Sequence, residues 1–119
     1  MDCAKHGKEK ERAGRLPASE VTKLSCLVEY APGGVVSRTL VEGKSGTITA
    51  FSFDAGEGLS EHSAPFDAFV NLIEGKLELT IGGKPQQLVG GDAVLMPANI
   101  PHALRFPERS KMLLVMIRG

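Results

Sequence analysis

Neither sign of charge predominates in this sequence. Its 119 residues carry 14 lysines and arginines against 14 aspartates and glutamates, so the formal net charge is +0 and the pI is near 6.8. Sequence-independent nucleic-acid binding needs a basic surface that neutralises many phosphates, and none is indicated. Long apolar runs are missing too: the longest, Met112 to Ile117, is far short of the ~20 residues that cross a bilayer, so no membrane partner is expected. Cysteine is scarce. Cys3 and Cys26 make no disulfide framework for a domain of this size, and no signal peptide is read ahead of them. The expectation is a reduced, cytoplasmic chain, with a Cys3–Cys26 disulfide as the lesser alternative. No internal repeat is found.

What is present suits one globular core: the length matches a single domain, with 42% hydrophobic and 24% charged residues. Residues 1–15 alternate Lys, Arg, Asp and Glu with almost nothing apolar, and read as a flexible tail that includes His6. Residues 16–119 form the domain. Its first stretch places Val21, Leu24, Leu27 and Val28 at helical spacing behind a candidate N-cap, Ser19, which predicts a short helix ending near Ala31-Pro32-Gly33-Gly34.

From Val35 onward, short runs rich in Val, Ile, Thr and Phe alternate with glycine-containing turns, as in an all-β sandwich or barrel. Strands are predicted over Val35–Val41, Thr47–Phe53, Ala68–Glu74, Lys76–Ile81, Gln87–Val89, Ala93–Met96, His102–Phe106 and Met112–Ile117. In Lys76–Ile81 the residues Leu77, Leu79 and Ile81 alternate with Lys76, Glu78 and Thr80, the pattern of a half-buried strand. Gly82-Gly83 follows at once and supplies the positive φ angles of a two-residue hairpin turn, with Pro85–Val89 as the returning strand. Met112–Ile117 is apolar on both faces and needs a second layer, which another subunit could provide; a homodimer is expected.

One stretch runs from Gly56 through His62, Ala64 and Ala68 to Gly75, and a second runs from Gly91 through Pro97, Asn99 and His102 to Phe106. Together they resemble the paired signatures of the cupin superfamily. The resemblance implies an all-β double-stranded β-helix, a jelly-roll barrel. Asn99 stands where the family has glycine, and asparagine tolerates a left-handed backbone better than other side chains.

Metal-binding cupins hold a divalent ion with two histidines and a glutamate from the first signature and one histidine from the second. Here His62 and His102 keep two of those positions, and Ala64 and Ala68 occupy the others. The resemblance thus implies an incomplete site for zinc, iron, nickel or manganese. Asp67 is the remaining candidate ligand, although strand parity turns it away from Ala68 unless a bulge intervenes.

The same parity makes a pocket wall of Ala64, Ala68, Val70, His102 and Leu104, with Met96 close by. Three readings follow. One is a binding protein that takes a small molecule, with or without a metal, in the barrel interior. Another is a metal-dependent enzyme, a dioxygenase or isomerase. The third is a metal-free, epimerase-like enzyme using His62 as base, oriented by Asp67 or Glu61. The sequence assigns no catalytic residue, and fold alone does not choose among chemistries.

Overall fold

A computed structural model describes residues 14–118. Nine strands follow one another: β1 (Val35–Gly43), β2 (Gly46–Phe53), β3 (Gly58–His62), β4 (Asp67–Glu74), β5 (Lys76–Ile81), β6 (Lys84–Val89), β7 (Ala93–Met96), β8 (His102–Arg105) and β9 (Ser110–Ile117). They form two antiparallel sheets, one in the order β1-β2-β9-β4-β7 and the other in the order β3-β8-β5-β6. This is the expected jelly roll. β3 had no counterpart in the sequence reading, because Gly58-Leu59-Ser60-Glu61-His62 contains a single apolar residue.

Alternation decides which side chains meet between the sheets. Along β4, Ala68, Val70 and Leu72 are buried while Asp67 and Phe69 are exposed; along β5, Leu77 and Leu79 are buried. These join Phe53, Met96, Leu104, Phe106 and Met112 in one core. The rings of Phe53 and Phe106 stack with centroids 3.8 Å apart. Truncating a side chain such as Leu72 here should cost about 2–5 kcal/mol, the usual range for a fully buried aliphatic residue.

The turns are those the glycines require. Gly82 and Gly83 have φ of 56° and 80° between the paired residues Ile81 and Lys84, as a type I′ hairpin demands. Gly75, at φ 97°, lies so close to Ser110 and the Arg109 carbonyl that a Cβ there would collide with both.

The N-terminal segment departs from expectation. In place of a helix it forms one 3-10 turn, Leu24–Cys26, and Ser19 is not an N-cap but a positive-φ turn residue at 66°. The reason lies in competition for its carbonyls. The Arg38 guanidinium donates to Leu27 O (3.0 Å) and Gly14 O (2.5 Å), Ser52 Oγ to Glu29 O (2.8 Å), and Lys111 Nζ to Ser25 O (2.6 Å). Groups that would have closed a helical ladder are spent on the sheet.

The extended segment lays Leu16, Leu27 and Val28 over Leu40, Ala50 and Leu113. Part of the second layer required by β9 therefore comes from the chain itself. Gly14 and Arg15, assigned to the tail by sequence, already touch the barrel: Gly14 through Arg38, and Arg15 through Glu42 at 3.2 Å. Residues 1–13 of that tail, with Cys3 and His6, lie outside the described residues. Cys26 is disulfide-bonded rather than a free thiol, contrary to the favoured expectation.

Tyr30 fastens the end of the segment. Its hydroxyl donates to Glu74 Oε2 at 2.6 Å, and Arg109 and Lys111 lie 5.0 and 4.8 Å from its ring centroid. Burial, reinforced by Glu74, pushes its phenol pKa up and keeps it protonated.

Asp54 completes the fastening. One oxygen accepts from Gly33 N–H (2.6 Å); the other accepts from Ala55 N–H (2.9 Å) and Arg109 Nε (3.0 Å). The Gly33 bond, then Arg109 and Ala55, hold its pKa down at about 2 against an ordinary 3.8. Between those values the unfolded chain binds the proton and the folded one does not, so this contribution is present above about pH 4 and lost as the pH falls toward about 2. Urea-unfolding midpoints measured from pH 5 to pH 2 should fall less steeply for Asp54→Asn than for the unmodified chain; equal slopes would show that Asp54 contributes nothing.

Candidate functional site

The site begins with a register irregularity. Leu59 of β3 pairs with Leu104 of β8, and the next pair is His62 with His102, so three steps on one strand match two on the other. Strict alternation would turn His62 away from the face that Leu59 presents to the core. The extra residue, a β-bulge, resets the parity and sets His62 opposite His102 at the end of the barrel where β3 finishes and β8 begins.

The two imidazoles meet with Nε2 atoms 3.2 Å apart, ring centroids 4.4 Å apart and planes at 70°. Each ring is aimed by the carbonyl two residues before it. His62 Nδ1 lies 2.8 Å from Ser60 O, and His102 Nδ1 lies 3.2 Å from Ile100 O. A carbonyl only accepts, so each Nδ1 carries the hydrogen and, without a further proton, each ring turns an Nε2 lone pair toward the other. Two lone pairs at this distance repel. They are reconciled by something positive between or beside them: a shared proton, a ligand hydrogen or a cation.

The rings differ in setting. His102 is 5% exposed, whereas His62 is open to solvent. Burial pushes the pKa of His102 down, the Ile100 carbonyl opposes that, and the charge of His62 adds to it.

The loop ahead of His102, residues 97–101, is held throughout. Pro97 and Pro101 have no N–H, and the three donors between them are all used: Ala98 on Asp67 Oδ1 (2.9 Å), Asn99 on Ala64 O (2.7 Å) and Ile100 on Pro97 O (3.4 Å). Gly82 N–H donates to Pro101 O at 2.8 Å. Asn99 adopts φ 64°, the left-handed conformation expected where it replaces glycine.

The other residues expected at the site separate into two groups. Ala68, Val70, Met96 and Leu104 do point inward, packed in the main core, while Ala64 is half-buried at the mouth. Asp67 is exposed and accepts from Ala98. Among the described residues, no group of three or more His, Cys, Asp and Glu side chains is placed to hold a metal ion. His62 is oriented by a carbonyl and not by Asp67 or Glu61. Sequence reasoning missed the Ser60 and Ile100 carbonyls, since main-chain acceptors leave no residue-type signal.

Comparison with known proteins agrees with the geometry. The family model described as "Cupin domain" matches residues 50–118. A conserved protein of unknown function from Streptococcus pyogenes is 36% identical, with a TM-score of 0.83 over 88% of this chain and 92% of that one. A cupin superfamily protein from Desulfitobacterium hafniense is 28% identical, with a TM-score of 0.83 over 88% and 96%. A Cupin 2 conserved barrel domain protein from Leptotrichia buccalis is 39% identical, with a TM-score of 0.76 over 79% of this chain and 46% of that one. No curated protein matches the sequence. The chain belongs to the cupin family.

The unequal burial of the two rings gives a direct expectation. His102→Ala removes a buried ring and strands the Ile100 carbonyl, which should cost about 1–3 kcal/mol. His62→Ala, at an exposed position, should cost no more than about 0.5 kcal/mol. Urea melts of both variants measure this, and equal losses would contradict the placement.

Proposed function

We propose that this cupin binds a small molecule at the barrel mouth, anchored by His62 and His102. The convergence of two bare Nε2 atoms 3.2 Å apart carries the reading, because it presents paired acceptors to one incoming group. A hydroxyl or weakly acidic hydrogen suits them: it can donate to one ring, or transfer to the pair and leave an anion beside an imidazolium. Ile81, which pairs with His102, and Leu59 are only partly buried against the core, and they suit a ligand with a hydrophobic body. Screening hydroxylated and weakly acidic compounds against the imidazole 15N shifts tests this. Ligands should move both histidines together and lose binding in His62→Ala and His102→Ala; a library that moves neither ring would sink the reading.

One observation favours a second reading. Two nitrogens on a tetrahedral ion at about 2.0–2.1 Å are roughly 3.3 Å apart, close to the separation here. The family's four-ligand ion does not fit, because Ala64 and Ala68 supply no donor. A divalent zinc, iron, nickel or manganese ion would be gripped by two histidines only, with its remaining positions filled from outside. Elemental analysis of protein purified without an affinity tag, followed by titration of each ion, separates the readings. Binding should be weak in the unmodified chain and tighten sharply in the double variant Ala64→His, Ala68→Glu; no change on adding those donors would reject the ion.

We also propose that the protein is a homodimer. Phe69, Leu95 and Val115 align across β4, β7 and β9 on the outer face, and Phe69, Leu95 and the neighbouring Ile117 are 41%, 54% and 54% exposed. Residues 1–13 contain Asp2, Lys5, Lys8, Glu9, Lys10, Glu11 and Arg12, a composition unfit to cover that row. A second copy of the face is the fitting partner. Light scattering at micromolar concentration should give the dimer mass and shift to monomer for Phe69→Glu; a monomer for the unmodified chain would refute it. No helix among the described residues is long and apolar enough to cross a membrane.

A further inference from the structure

Asp67 stands on the exposed face of β4, and its carboxylate is directed to the loop that precedes His102. Asp67 Oδ1 at the start of β4 and the Ala64 carbonyl from the β3–β4 connection reach across to that loop, receiving Ala98 N–H at 2.9 Å and Asn99 N–H at 2.7 Å. Those neighbouring donors fix the peptide planes that lead, through the left-handed Asn99 at φ 64°, to the Ile100 carbonyl. That carbonyl selects the Nδ1–H form of His102 and so turns its bare Nε2 toward His62. We infer that Asp67 is a positioning residue: it sets the tautomer and aim of His102 through the loop at 97–101, without touching the ligand.

The arrangement explains a position that is otherwise anomalous. An exposed carboxylate on the solvent side of a strand, one residue from buried Ala68, gains little from bonding a single exposed peptide N–H. Its effect is geometric. Loss of that bond leaves the loop, among the described residues, tied to its surroundings by the Asn99 N–H and the Pro101 carbonyl, so the Ile100 carbonyl can move and the His102 ring is no longer confined to one tautomer. Only the acceptor oxygen matters in this account, not the charge, and asparagine can supply it.

The proposal deepens the binding reading above, but its decisive measurement needs no ligand. Long-range 1H–15N spectra of the unliganded protein report the tautomer of each histidine. In Asp67→Ala the His102 signals should move from a fixed Nδ1–H pattern toward averaged tautomers while those of His62 change less, with the melting temperature within a few degrees. Asp67→Asn should restore the wild-type pattern. If Asp67→Ala fails to fold, Asn99→Ala strains the same loop from its left-handed residue and should produce the same His102 change. A second arm uses Zn(II) alone: where the unmodified protein binds it, Asp67→Ala should weaken binding about tenfold and Asp67→Asn should not. Failure of zinc to bind at all counts against the ion reading only. An unaltered His102 spectrum in Asp67→Ala, or an Asn variant as disturbed as the Ala variant, would overturn the role assigned to Asp67.

Discussion

The mouth of this barrel depends on one extra residue in β3. Leu59 and Leu104 pair in register and face the core; two residues further along β8 stands His102, and three further along β3 stands His62. Because side chains alternate with a period of two, an unbulged strand would have turned His62 away and set Glu61 opposite His102. A carboxylate beside a buried imidazole would form an ion pair; two imidazoles instead set nitrogen against nitrogen. The bulge thus determines the chemistry of the site as well as its shape.

The strands were legible because burial on one face writes itself into alternation, as in Leu77, Leu79 and Ile81, and because positive φ restricts the residues at Gly82-Gly83 and Asn99. His62 and His102 were legible by their place in two spaced patterns. The bulge was not, since nothing in Ser60-Glu61 marks a skipped pairing. The N-terminal helix was misread for a related reason. Val21, Leu24, Leu27 and Val28 do have helical spacing, yet Leu27 and Val28 are buried by lying flat against Leu40, Ala50 and Leu113, and hydrophobic period alone does not separate those outcomes.

That segment also accounts for part of the two-faced character of β9. Met112 and Leu114 pack toward the core and Leu113 toward the chain from Leu16 to Val28, so this part of the strand is apolar on both sides because it lies between two layers of one molecule. Polar groups set the position of the layer. Arg38, Ser52 and Lys111 project from the sheet to meet carbonyls at Leu27, Glu29 and Ser25, and those carbonyls would otherwise be desolvated without partners. Hydrophobic contact brings the segment down, and the buried donors fix where it stops.

With alanine at positions 64 and 68, the barrel mouth offers two histidine nitrogens, and among the described residues no third His, Cys, Asp or Glu completes a metal group with them. A divalent ion held there keeps its full double charge next to an apolar wall, which is unfavourable unless anionic oxygens come with it. A proton or a ligand hydroxyl asks for no such compensation. The neutral donor set therefore disfavours a permanently resident ion and favours an occupant that brings its own charge balance: an acid that leaves its proton on the histidine pair, or an ion that arrives with an anionic chelator. Both engage the same two nitrogens, the acid through its proton and the chelate through its ion. For either, selectivity rests on how firmly Nε2 of His102 is held, and so on the Ile100 carbonyl and the loop that carries it.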